Sequence, residues 1–212
     1  MSRIVLGATG SVAAVRVPSL CSSLVEMGHE VRVAATEPSL YFFDPGELPP
    51  GVPIHRDDDE WPGTRYARGD EVLHIELRRW ADLLIVAPLD ANTLGKFALG
   101  LSDNLLTCLF RAWDFAAPVI LAPAMNTMMW RKPATGRHLA QLWSDQTGRP
   151  TPPDWSLDAA EGLFARHAPA IVLVPPQAKR LACGDFGVGA MAEVPQIAEV
   201  VRSWSERSTP KA

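Results

Sequence analysis

Three short stretches carry side chains that core packing alone does not call for. In "PAMNTMMW", residues 123–130, Asn126 follows an apolar run and precedes two methionines and a tryptophan. An amide there brings both a donor and an acceptor to whatever lies beside it. Cys183 lies in "LACGDFGVGAM", among glycines. Inert cysteines favour regular apolar elements, as Cys108 does in "LLTCLF", whereas a glycine-rich loop points to mobility and access. In "GATGS", residues 7–11, the glycines let the backbone approach an anion, and Ser11 and the N–H groups of a helix start can meet a phosphate. The dinucleotide spacing G-x-G-x-x-G is absent, so a mononucleotide suits the turn better than a pyrophosphate; a plain strand-to-helix turn also accounts for it.

Other candidates have simpler readings. In "APLDANT", Asp90 or Asn92 can cap the helix that follows, and Asp103 in "DNLLT" can do the same. His74, in "VLHIELRRWADLL", reads from its neighbours as a structural histidine, and His29, His55, His138 and His167 as surface residues. The run Asp57 to Glu60 reads as a solvated acidic loop rather than a metal site. No metal is expected.

These residues need a frame to bring them together, and the chain supplies a strand–turn–helix rhythm. "RIVLGATGSVAA" gives a strand and a turn; the helix after it should direct Val12, Val15, Leu20, Leu24 and Val25 to a core, kink at Pro18 and close at Gly28. "HEVRVAAT" is a second strand ending at Thr36, and a further strand runs from Asp82 to Ala87. "APVILAPAMN" and "PAIVLVPPQ" supply two more, with helices in "TLGKFALG" and "DNLLTCLFRAW". The fold class is α/β: a single-domain doubly wound parallel sheet with helices on both faces. Continuous runs such as "LLIV" and "VILA" suit strands covered on both sides. Ligands bind such sheets at the carboxyl ends of the strands. Ser11, Thr36, Asn92, Thr93, Asn126 and Cys183 all fall there, which predicts one shared site. Residues 44–70 read as a long loop with at most a short strand and 144–158 as an exposed insertion; the domain spans 1–203, before a polar tail at 204–212.

Composition narrows the class. A net charge of -4 and the lack of basic clusters argue against nucleic-acid binding. No stretch approaches the about 20 apolar residues of a membrane span, and "MSRIVLGATG" is unlike a signal peptide. Three cysteines without metal-ligand spacing suit a reducing, cytoplasmic setting.

The motif P-x-M-N-x-x-M-W in "PAMNTMMW", with "HIELRRWADLLIVAPLDANTLGKFALGLSDNLLTCLFRAWD" and "LACGDFGVGAMAEV", resembles the flavin-dependent cysteine decarboxylases, a family that includes the lantibiotic peptidyl-cysteine decarboxylases. The likeness covers about residues 3–143 and 170–201. It implies a Rossmann-like flavoprotein whose FMN is held by Gly10, Ser11, Val12, Thr36, Asp90, Ala91, Asn92, Thr93 and Ala124. It raises His74, Asn126 and Cys183 to catalytic candidates, with Asn126, Met129, Arg180, Leu181 and Ala182 against the substrate. The implied activity, from the single-domain branch, is a carboxy-lyase reaction converting phosphopantothenoylcysteine to phosphopantetheine and CO2 in coenzyme A biosynthesis. Oxidation of the cysteine CH2–SH to a thioaldehyde places C=S beta to the carboxylate, CO2 leaves, and the enethiol is reduced again. The resemblance further implies a homotrimer with sites at subunit interfaces. A peptidyl-cysteine decarboxylase and a regulatory flavoprotein that inhibits a protein phosphatase are the alternatives. One departure is a segment near 144–165, longer than the family pattern leads one to expect.

Overall fold

A computed structural model describes residues 1–63, 65, 67–180 and 186–208. Its strands are β1 (Arg3–Ala8), β2 (Glu30–Ala35), β3 (Ile54–Arg56), β4 (Leu83–Leu89), β5 (Val119–Pro123), β6 (Ile171–Leu173), β7 (Gln177–Arg180) and β8 (Phe186–Ala190). Its helices are α1 (Val17–Glu26), α2 (Asp57–Glu60), α3 (Leu73–Trp80), α4 (Ala91–Leu99), α5 (Leu105–Arg111), α6 (Thr127–Trp130), α7 (Pro133–Thr147), α8 (Leu157–His167) and α9 (Val194–Ser208). Six strands pair in parallel in the order β3-β2-β1-β4-β5-β6, and β7 and β8 form a separate antiparallel hairpin. This is the doubly wound sheet expected from the sequence, and its strand order reverses between β1 and β4.

Alternation along the strands builds two cores. Ile4, Leu6, Leu83, Ile85 and Ile120 face one side, against Leu20 and Leu24 of α1 and Ile197 and Val201 of α9. Val5, Leu84, Val86, Val119 and Leu121 face the other, under apolar residues of α3, α4, α5, α7 and α8. Both faces are dry, so every residue of β4 and β5 is buried and the runs are apolar without a break.

Several local expectations need correction. Pro18 does not kink a helix: residues Val12–Arg16 form a 3-10 turn and α1 begins at Val17, which puts Pro18 in its first turn, where a missing N–H costs nothing. The 3-10 turn sets Val12 and Val15 on one exposed edge, 49% and 54% accessible, and Val25 is also partly exposed. The long loop of residues 44–70 holds a 3-10 turn at Pro45–Glu47, β3 and α2. The acidic run is therefore helical, and its last member, Glu60, is buried. Asn104, not Asp103, caps α5, accepting from the Thr107 N–H at 2.9 Å, while Asp103 pairs with Lys96 at 2.8 Å. His29 is buried, and burial pushes its imidazole below the ordinary range.

Residues 144–158, expected as an exposed insertion, hold the end of α7, a turn and the start of α8, and none of them is fully buried. Gly148 ends α7 in the left-handed conformation, Ser156 caps α8, and Ala160, Leu163 and Phe164 are buried at helical spacing. Trp155 packs against Trp143 and Phe164, its indole N–H donating to the Gly136 carbonyl at 3.2 Å.

Candidate active site

The carboxyl ends of β1, β2, β4 and β5 are tied to one another by short polar bonds. Thr9, fully buried after β1, donates its hydroxyl to the Pro88 carbonyl and accepts from the Asp90 N–H, both at 2.8 Å. Thr36 donates to the Ala8 carbonyl at 3.1 Å. Gly10 has no room for a side chain, since a Cβ there would lie 2.7 Å from Pro38 Cβ. Asp90 caps α4 by accepting from the Thr93 N–H at 2.8 Å, the simpler role its sequence setting suggested. Thr93 is buried, while Asn92 is exposed.

Asn126 follows β5 and caps α6, its Oδ1 accepting from the Met128 N–H at 2.8 Å. That bond fixes the orientation of the amide. Strand β8 lies directly on this loop, with the Met125 N–H donating to the Gly189 carbonyl at 2.9 Å. Gly189 has φ +148°, and a Cβ on it would overlap the Met125 carbonyl oxygen, as one on Gly187 would overlap Thr127. Of the glycines read in the sequence as a sign of mobility, Gly189 lets two backbones touch and Gly187 makes room for the Thr127 side chain. Gly189→Ala is expected to destabilise the fold by about 2–4 kcal/mol, combining overpacking and backbone strain. A lowered urea-unfolding midpoint checks this; an unchanged midpoint contradicts it.

Between the hairpin and the β1 turn is a cavity of about 380 Å³, lined by Ser11, Val12, Ala13, Val15, Arg16, Ala124, Met125, Asn126, Lys179, Arg180, Gly189, Ala190 and Met191. Its walls are mainly apolar and its rim is basic. Arg16 and Lys179 each hold one oxygen of Glu193 at 2.6 Å, and the Lys179 hydrogen bond, then the Arg16 charge, keep the Glu193 carboxyl below the usual range. Such a recess can take a flat apolar ring together with anionic groups.

The expected site residues thus divide. Ser11, Val12, Ala124, Asn126 and Arg180 share the cavity, and Gly10 adjoins it. Thr36, Asp90, Ala91, Asn92 and Thr93 stand at the same edge of the sheet but do not line it, and neither does half-exposed Met129. Leu181, Ala182 and Cys183 lie outside the described residues. Reading the sequence missed Arg16, Lys179 and Glu193, because an ion pair between residues 177 positions apart leaves no local pattern.

His74 is placed elsewhere, in the first turn of α3, and does not line the cavity. Its Nδ1 is hydrogen-bonded to Glu60 Oε1, and its backbone N–H donates to Glu60 Oε2 at 3.0 Å. Cys108 of α5 is the third member of this cluster. Burial first, and then the Glu60 carboxylate, push its thiol above the ordinary range.

A family model described as flavoprotein matches residues 1–206. A phosphopantothenoylcysteine decarboxylase of Oryza sativa subsp. japonica is 50% identical over 94% of this chain and 79% of its own. The chain belongs to the flavoprotein family, on the phosphopantothenoylcysteine decarboxylase branch. This flavoprotein is similar in structure to a PPC decarboxylase cysteine-to-serine mutant complexed with pantothenoylaminoethenethiol, with TM-score 0.80, 48% identity and coverage of 97% of this chain and 98% of that one. It is also similar to the FMN binding protein AtHal3, with TM-score 0.78, 48% identity and 98% coverage of each chain.

Proposed function

We propose that this flavoprotein catalyses the FMN-dependent decarboxylation of phosphopantothenoylcysteine to phosphopantetheine and CO2, a carboxy-lyase step in coenzyme A biosynthesis. One observation carries the reading: Asn126 and the Ser11 turn face a single apolar cavity with a basic rim, in a chain half identical to a named decarboxylase. The cavity suits FMN. Val12, Val15, Met125 and Met191 offer apolar surface to a flat ring, while Ser11, Arg16, Lys179 and Arg180 offer partners to anions.

In this reading Gly10, Ser11, Val12, Thr36, Asp90, Ala91, Asn92, Thr93 and Ala124 hold the cofactor. Bound FMN supplies a reversible two-electron acceptor for the cysteine CH2–SH. Asn126 offers its N–H donors to the substrate carboxylate and orients it. The poorly hydrated walls favour loss of that charge as CO2. His74 takes the thiol proton during oxidation, and Cys183 protonates the enethiol on its return. Met129, Arg180, Leu181 and Ala182 lie against the pantothenoyl arm. The reading includes a cytoplasmic setting, supported by cysteines that show no disulfide among the described residues.

The working unit in this reading is a homotrimer with sites at subunit interfaces. Two features support it. His74 does not line the cavity that holds Asn126. Leu99, Leu101, Met128, Met129 and Phe186 are large apolar side chains left exposed, with Leu99 and Phe186 at 68% and 79% accessibility. Co-expressing His74→Asn chains with Asn126→Asp chains tests this directly. If each site draws the two residues from different subunits, mixed trimers contain intact sites and regain CO2 release from phosphopantothenoylcysteine. If both come from one chain, no mixed site is intact and activity stays absent.

A further inference from the structure

We propose that Glu60 is the positioning residue for His74, holding its imidazole with the proton on Nδ1 so that Nε2 faces the reacting thiol. The inference rests on His74 serving the decarboxylation as proposed above. It starts from the acidic run, whose four members have different surroundings. Asp57 caps the segment after β2 by accepting from the Glu37 N–H at 2.9 Å, and Asp59 accepts from the Arg56 N–H at 2.7 Å. Asp57 is half-buried, and Glu60 is the one of the four that is fully turned inward, with its side chain 3% accessible.

Burying a carboxylate is costly unless each oxygen finds a donor. Among the described residues, Glu60 finds both donors on His74: the backbone N–H at Oε2 and the ring Nδ1 at Oε1. No lysine or arginine of the described residues is paired with it. The first of these bonds also serves the helix. The N-cap of α3, Val72, has no side chain able to accept, so Glu60 supplies a negative charge to the helix start from outside it.

The second bond serves the ring. A carboxylate accepts and cannot donate, so the atom facing it must carry a proton. In the neutral ring this leaves the lone pair on Nε2, the form a general base needs. When Nε2 takes up a proton, the new positive charge lies against a buried negative one. The His74 side chain keeps 22% of its accessible surface, so part of the ring remains reachable from outside its own chain. Cys108 does not compete for this role, since its thiol is held protonated beside the same carboxylate.

Two measurements test the proposal, using the full-length protein loaded with FMN. The variant Glu60→Gln keeps the shape and an acceptor for the backbone N–H. An amide NH2 facing Nδ1, however, makes that nitrogen the acceptor and moves the proton to Nε2. We expect kcat to fall roughly a hundredfold, with KM changed less than about threefold and bound flavin unchanged. In parallel, 15N-histidine spectra, with His74 assigned by loss of its signal in His74→Asn, should show protonated Nδ1 in wild type and protonated Nε2 in Glu60→Gln. A wild-type ring with unprotonated Nδ1 overturns the proposal, whether or not the variant folds. So does a Glu60→Gln enzyme with unchanged kcat. Inactive wild-type protein defeats the functional reading instead, and the nitrogen shifts still report on the pair.

Discussion

Asn126→Asp should cut CO2 release by roughly a thousandfold while the protein stays folded and yellow. The substitution is nearly isosteric, and a carboxylate oxygen can still accept from the Met128 N–H, so the cap of α6 survives. What changes, in the function proposed above, is the face turned to substrate. The amide's N–H donors are replaced by a second negative charge beside the carboxylate that must be held. Two like charges about 4 Å apart at an effective dielectric near 20 repel by about 4 kcal/mol, which is close to three decades in rate. Assaying CO2 release alongside the visible spectrum separates loss of chemistry from loss of cofactor. Normal turnover by this variant would remove Asn126 from the reaction.

Cys183→Ser should split the reaction into its halves. Oxidation and CO2 loss do not call on the thiol in the scheme above, so one CO2 per active site should appear. Returning hydride to the enethiol requires a proton at carbon. A serine hydroxyl is a far weaker acid than a thiol, whose ordinary pKa is about 8.5. Phosphopantetheine formation should therefore fall below detection in the assay that follows CO2. Equal yields of CO2 and phosphopantetheine from the variant would exclude the role.

The frame of the molecule was legible because it follows from local periodicity. The apolar runs that became β1, β4, β5 and β6 show burial on two faces, and the loops carrying Ser11, Thr36, Asn92 and Asn126 follow strand ends by necessity of the topology. Local rules also foresaw the Asp90 cap. They failed where a residue's partner is distant in sequence. Glu60 looked like one more solvated acid because the donors on His74 lie 14 positions away, across a segment of low regularity. The glycines of β8 suggested a loose loop because nothing in "FGVGA" reveals that the Met125–Asn126 backbone and the Thr127 side chain press on it. The surface character of residues 144–158 was legible in their Pro, Gly and polar content, and just beyond them the spacing of Ala160, Leu163 and Phe164 marks a packed helix.

The most direct measurement is a single turnover of the Cys183→Ser holoprotein under anaerobic conditions, watching the flavin band and CO2 together. Adding phosphopantothenoylcysteine should bleach the band, with one CO2 released per flavin and no recovery of colour until air is admitted. Release of CO2 with the flavin band unchanged would mean that the carboxylate leaves without electrons passing to the cofactor, and the redox-neutral decarboxylation proposed here would be wrong.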